Sequence, residues 1–143
     1  MTTSIPAGRG YMLDANHGLA PTQPDLKAGA ESTGGQLTVL TFSLDGGPPR
    51  HTHTREDESI FLLAGQLAVE CDGDEFAATP GSFVYLPRGR PHTFRSVGGT
   101  ARGLLIITPA GLEAYFAALH AAATGPDSSQ VRTVMAEYGI RPA

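Results

Sequence analysis

Tryptophan is absent from this chain of 143 residues, cysteine occurs once, and lysine once against nine arginines. A single thiol, Cys71, excludes an intrachain disulfide, which suits a reducing cytoplasm as the expected location. No apolar run approaches the ~18 residues of a membrane-crossing helix. The opening MTTSIPAGRG lacks the apolar core of a secretion signal. Positive charge is scarce as well: the net charge of −4 argues against nucleic acid or an anionic membrane as partner. Glycine and proline are plentiful, at 18 and 11, which favours many turns between short strands over a helical bundle.

Residues 1–35 read as an N-terminal arm, mostly loop, with a possible short strand at Tyr11–Leu13. QLTVLTFSL (36–44) reads as a buried strand and SIFLLAG (59–65) as a strand closed by a glycine turn. Asp72-Gly73, between two β-rich runs, is a hairpin signal. TPGSFVYLPRGRPHTFRSV (79–97) reads as turn, strand, Pro/Gly loop and strand, and RGLLIIT (102–108) as one more strand, completing a β-region over 36–108. From 109 to 143 the period changes. Leu112, Tyr115, Phe116 and Leu119 make the apolar stripe of a helix over 111–123, able to cover the barrel. A second helix is expected over 128–139, capped by Asp127 or Ser128 and stopped by Gly139. The pattern is one all-β domain, a sandwich or small barrel, followed by two C-terminal α-helices.

Chemistry concentrates in HTHTREDESIFLLAG (51–65). His51 and His53 share one face of an extended segment. The polar TRED reads as a turn that resets the parity, so that Glu58 swings back toward the histidines and Ile60 and Leu62 follow it inward. Glu56 and Asp57 read as solvated turn residues. His92 follows a stiff Pro/Gly loop and can be aimed from a neighbouring strand. Three imidazoles and one carboxylate suit one divalent transition metal (Fe, Ni, Mn, Co, Cu or Zn) better than Ca or Mg, with coordination positions left open. A carboxylate in an apolar barrel is expected to have a raised pKa and to serve as a base. Phe94, Ile60 and Leu62, joined by Phe83 or Tyr85, are the candidate walls of a substrate pocket. Such apolar walls suit a flat aromatic or polyketide-like molecule. Arg88 and Arg90 read as surface charges at the barrel mouth, His17 and His120 as surface residues, and Cys71 as a core or half-buried thiol.

The spacing of His51, His53, Glu58 and Gly65 resembles the first cupin motif, and that of Gly81, Pro87, Gly89 and His92 the second. Two positions depart from the pattern. Asp45 stands where the first motif opens with glycine, and Ser96 stands where the second ends with asparagine. The resemblance implies a cupin double-stranded β-helix, or jelly-roll barrel. The REDE run, TPAGLEAYF and the terminal EYGI are similar to the quercetinase-like single-domain cupins. That resemblance implies a metal-dependent dioxygenase using O2, with Glu58 as ligand and base. A non-redox cyclase or isomerase, or a non-enzymatic binder of a small molecule, stands as the alternative. It also implies a homodimer, with residues 8–15 as an exchanged strand.

Overall fold

A computed structural model describes residues 5–121 and 129–143. The elements run β1 (Leu26–Ala28), α1 (Ala30–Thr33), β2 (Thr38–Leu44), β3 (His51–His53), β4 (Asp57–Ala64), β5 (Leu67–Cys71) and β6 (Asp74–Ala78). They continue with β7 (Phe83–Leu86), β8 (His92–Ser96), β9 (Ala101–Thr108), α2 (Glu113–Ala121), α3 (Ser129–Glu137) and β10 (Ile140–Pro142). The strands form two five-stranded antiparallel sheets, ordered β1-β2-β9-β4-β7 and β10-β3-β8-β5-β6. This is the expected all-β jelly roll with two helices behind it. Strands β1 and β10 fall outside 36–108, one at an edge of each sheet.

The strands follow their period. In β4, Glu58, Ile60 and Leu62 are buried while Ser59 and Phe61 are half-buried. Their inward row meets Leu67, Val69, Val84, Leu86 and Phe94 in the main core. Cys71 is buried in the same cluster. The β5–β6 hairpin closes at Cys71↔Asp74 with Asp72 at φ 51° and Gly73 at φ 93°, the left-handed pair that an Asp-Gly turn supplies. The apolar stripe of α2 caps the barrel: Leu112 and Tyr115 pack on Ile107 and Ile140 in a second cluster.

Three local expectations are corrected. Tyr11–Leu13 forms no strand; the Tyr11 hydroxyl instead donates to the Lys27 carbonyl at 2.8 Å, and the arm's strand is β1. Glu56 is buried at 8% exposure and its pKa is raised by that burial, so it is no solvated turn residue. Asp57 opens β4 and accepts three hydrogen bonds from Arg88: from the backbone N–H at 2.9 Å, Nε at 3.1 Å and Nη2 at 3.2 Å. Arg88 and Arg90 are exposed surface charges, as expected, and Arg90 pairs with Asp72 at 2.9 Å. His17 is exposed on its loop, as expected. The expected cap at 127–128 and the side chain of His120 lie outside what the structure describes.

Candidate metal centre

Three chain segments deliver the site. The turn DGGPPR carries the chain across β8 into β3. Gly47 passes so close that a Cβ there would fall onto the Phe94 carbonyl, and the Thr93 hydroxyl donates to the Pro48 carbonyl at 2.7 Å. β3 then presents His51 and His53. β4 presents Glu58 after the turn at 54–56. β8 presents His92, which stands opposite His51 in the ladder.

The four side chains converge, with one ligand atom from each lying within 4.8 Å of the others. His51 Nε2 is 3.1 Å from His53 Nε2. Glu58 Oε2 is 3.0 Å from His53 Nε2 and 3.4 Å from His92 Nε2. His53, Glu58 and His92 are buried, and His51 is half-buried at the cavity edge. His92 Nε2 is buried and has no hydrogen-bond partner among the described residues. Leaving such an atom unpaired is costly unless something else engages it.

The arrangement fits a metal. Donors held ~2.1 Å from one ion lie roughly 3 Å apart at right angles and ~4 Å apart when opposed. The observed 3.0 to 3.4 Å neighbours have that spacing. Nitrogen and carboxylate donors in this ratio suit a borderline divalent transition metal. Protonation states agree. Burial pushes His51 down, against the Pro49 carbonyl that Nδ1 contacts at 2.8 Å, and this favours the neutral imidazole that ligates. Glu58 overturns the expected raised pKa. Burial does push it up, but His53 and His92, 3.0 and 3.4 Å from its Oε2, outweigh burial and hold it at about 2. It is therefore an ionised carboxylate, suited to a ligand.

Above the donors lies a cavity of about 460 Å³. Its charged and imidazole lining is His51, His53 and Glu58, and the rest is aliphatic, proline or aromatic. Of the five wall residues named from the sequence, Phe94 is on this cavity. Ile60 and Leu62 have zero exposure and sit deeper, in the barrel core. Phe83 and Tyr85 are 62% and 53% exposed on the outer face. The register gives the reason. Val84 and Leu86 stand opposite Ile60 and Glu58 and share their inward face, so Phe83 and Tyr85 stand opposite Phe61 and Ser59 and point out. The walls that sequence reasoning missed include Pro49, Leu105, Met135 and Ile140. Tyr115 and Phe116 also line the cavity, and the helical stripe already marked them as inward-facing.

Comparison with known proteins agrees with this architecture. Quercetin 2,3-dioxygenase of Bacillus subtilis (strain 168) is 26% identical over 124 residues, covering 82% of this chain and 37% of that protein. The chain thus spans little more than a third of that curated relative. Among solved structures, KdgF from Halomonas sp. superposes with a TM-score of 0.52 at 20% identity, over 56% of this chain and 74% of that one. The Streptomyces nucleoside dehydratase Pac13 superposes with a TM-score of 0.50 at 17% identity, over 56% of this chain and 65% of that one. At such identities the two structures show a shared fold. The cupin domain family matches residues 39–112, just over half of the chain and the stretch holding all four clustered side chains, and the protein belongs to that family.

Proposed function

We propose that this protein is a metal-dependent cupin enzyme, a quercetinase-like dioxygenase acting on an aromatic or polyketide-like small molecule. The observation that carries the reading is an apolar cavity lined by His51, His53 and Glu58, with His92 buried beside them in the same cluster. The relationship to a quercetin 2,3-dioxygenase supports it. A divalent transition metal held by those four residues would supply Lewis acidity and, when redox-active, electron transfer to O2.

The residues of the chain do the rest. Pro49, Leu105, Phe94 and Phe116 exclude water and orient a flat ring by shape, and none of them offers a cation to an anionic substrate. The Glu58 carboxylate is the acceptor for a substrate hydroxyl proton. Its low proton affinity confines that role to acidic hydroxyls, such as those of phenols and enols.

The test is elemental analysis followed by oxygen uptake with a flavonol. The expected result is near one equivalent of transition metal per chain, and uptake that falls by roughly 10²-fold or more in Glu58→Gln. Conversion of substrate without oxygen uptake would replace this reading with the non-redox cyclase or isomerase. A protein that takes up no metal after loading with Fe, Ni, Mn and Zn would leave only a metal-free binder.

A further inference from the structure

The strand that carries two of the four donors is three residues long. On its barrel side, β3 is paired with β8 at His51↔His92, and the Gly89 N–H donates to the His53 carbonyl at 2.8 Å. Its other edge is covered entirely by the last strand of the chain. Ile140 stands opposite His53, Arg141 opposite Thr52 and Pro142 opposite His51. The pairing runs past both ends of β3. The Ala143 N–H donates to the Arg50 carbonyl at 3.1 Å. The Gly139 carbonyl accepts from the Thr54 N–H at 2.9 Å and the Thr54 hydroxyl at 2.6 Å. Arg55 Nη1 donates to the Glu137 carbonyl at 3.0 Å.

Gly139 makes this approach possible. It sits at φ 73°, and a Cβ there would collide with Thr54 Oγ1 and the Arg55 side chain. Ile140, 2% exposed, lines the cavity beside His53. His53 depends on such support, because its Nδ1 is buried with no hydrogen-bond partner among the described residues. Ligating histidines are ordinarily oriented by a hydrogen bond to that second nitrogen. Here backbone pairing and the packing of Ile140 are what fix the ring.

We propose that β10, together with Gly139 before it, is a positioning element of the metal centre, pairing with β3 to hold His51 and His53 in register with His92 and Glu58. The inference rests on the metal reading above. It places a determinant of metal affinity outside residues 39–112, in a segment that contributes no ligand.

The test is cobalt(II) affinity, measured by chelator competition, together with the visible absorption of the cobalt-loaded protein. The set is the full chain, Gly139→Ala, Ile140→Ala, Ile140→Leu, a chain ending at residue 138, and the control Leu67→Ala. Leu67 is a buried core residue on β5, so its loss lowers stability without touching β3. Gly139→Ala, Ile140→Ala and the shortened chain are expected to bind cobalt about 10- to 100-fold more weakly, the range seen when outer supports of a metal ligand are lost. Their absorption bands should also shift, while Ile140→Leu restores both. Leu67→Ala, assayed well below its unfolding temperature, should keep the parent's affinity and spectrum. Parent-like affinity and spectrum in the β10 variants would overturn the inference alone, as would an equal loss in Leu67→Ala. If the shortened chain does not fold, Ile140→Ala against Ile140→Leu decides. A parent chain that takes up no metal would overturn the metal reading and this inference with it.

Discussion

The backbone N–H of Gly46 donates to the hydroxyl of Ser96 at 2.8 Å, and the N–H of Ser96 donates back to the Gly46 carbonyl at 2.8 Å. These two residues mark the departures from the cupin motif pattern, the glycine displaced by one position and the serine in place of asparagine. The departures meet each other. Together they tie the turn leading to His51 onto the end of the strand that carries His92. Ser96→Ala leaves the Gly46 N–H without its partner and should cost about 1 kcal/mol. Ser96→Asn retains an acceptor and should lie nearer the parent in a urea melt. Equal melts for all three proteins would remove this pairing from the account of the site.

Gly46 and Gly47 resist substitution for different reasons. Gly46 has open space around a Cβ but sits at φ 107°, where a side chain is strained, whereas a Cβ at Gly47 would strike the Phe94 carbonyl. The turn must then lift off β8, moving Pro49 at the cavity wall and His51 behind it. Gly47→Ala is expected to destabilise by about 3 kcal/mol, as overpacking does, and to weaken metal binding as well. A Gly47→Ala protein with the parent's unfolding midpoint and metal content would contradict this.

Much of this site is legible in the sequence because its geometry depends on short-range rules. Alternation along β4 puts Glu58, Ile60 and Leu62 on one face. Asp72-Gly73 announces its hairpin, and the stripe from Leu112 to Leu119 announces a covering helix. What stays hidden depends on pairing across distance. Every residue of Phe83–Leu86 is apolar, so period two gives no sign of which side faces in, and only the register with β4 decides. Glu56 lies in a polar run whose burial comes from tertiary packing. Isolated from its partner, Ile140–Pro142 has no strand signal at all, since three residues and a proline carry no period. It becomes a strand only because β3 offers it an edge.

The outward turn of β7 separates the aromatic residues experimentally. Phe94→Ala removes a 7% exposed side chain from both the core and the cavity. It should cost about 3–4 kcal/mol and weaken binding of a flavonol. Phe83→Ser and Tyr85→Ser lie on the outer face and should leave flavonol affinity within twofold of the parent. Affinity loss in the β7 variants and none in Phe94→Ala would put the cavity on the wrong face of the sheet.

Metal should also appear as stability. A ligand that binds only the folded chain and is present at a hundredfold excess over its Kd stabilises by about 2.7 kcal/mol. The unfolding temperature of the parent should rise on adding the preferred metal and fall with chelator. His92→Ala takes away a donor that is 1% exposed and central to the cluster, so its unfolding temperature should respond weakly or not at all. A response equal to the parent's would assign the stabilising ion to some other site.

Glu113 gives the fold an acid limit that is independent of the metal cluster. Its Oε1 accepts from the Thr38 hydroxyl at 2.5 Å and the Gly111 N–H at 2.9 Å, and its Oε2 accepts from the Ala30 N–H at 2.6 Å. One carboxylate thus fastens α2, which walls the cavity, to the start of β2 and to α1. Burial pushes its pKa up, but the bonds from Ala30, Thr38 and Gly111 prevail and leave it below the ordinary 4.5. A carboxylate with a depressed folded pKa contributes stability above its unfolded pKa, and that contribution is lost as pH falls through the folded value. Glu113→Gln should therefore be less stable than the parent at pH 7, by about 1–2 kcal/mol for weakened bonds to a charged acceptor. The gap should stay constant from pH 7 down to about pH 5 and close below the ordinary 4.5 as the parent carboxylate protonates. Urea melts of both proteins at pH 7, 5 and 3 measure it. A gap that persists unchanged at pH 3 would mean that Glu113 supports α2 through shape and not through its charge.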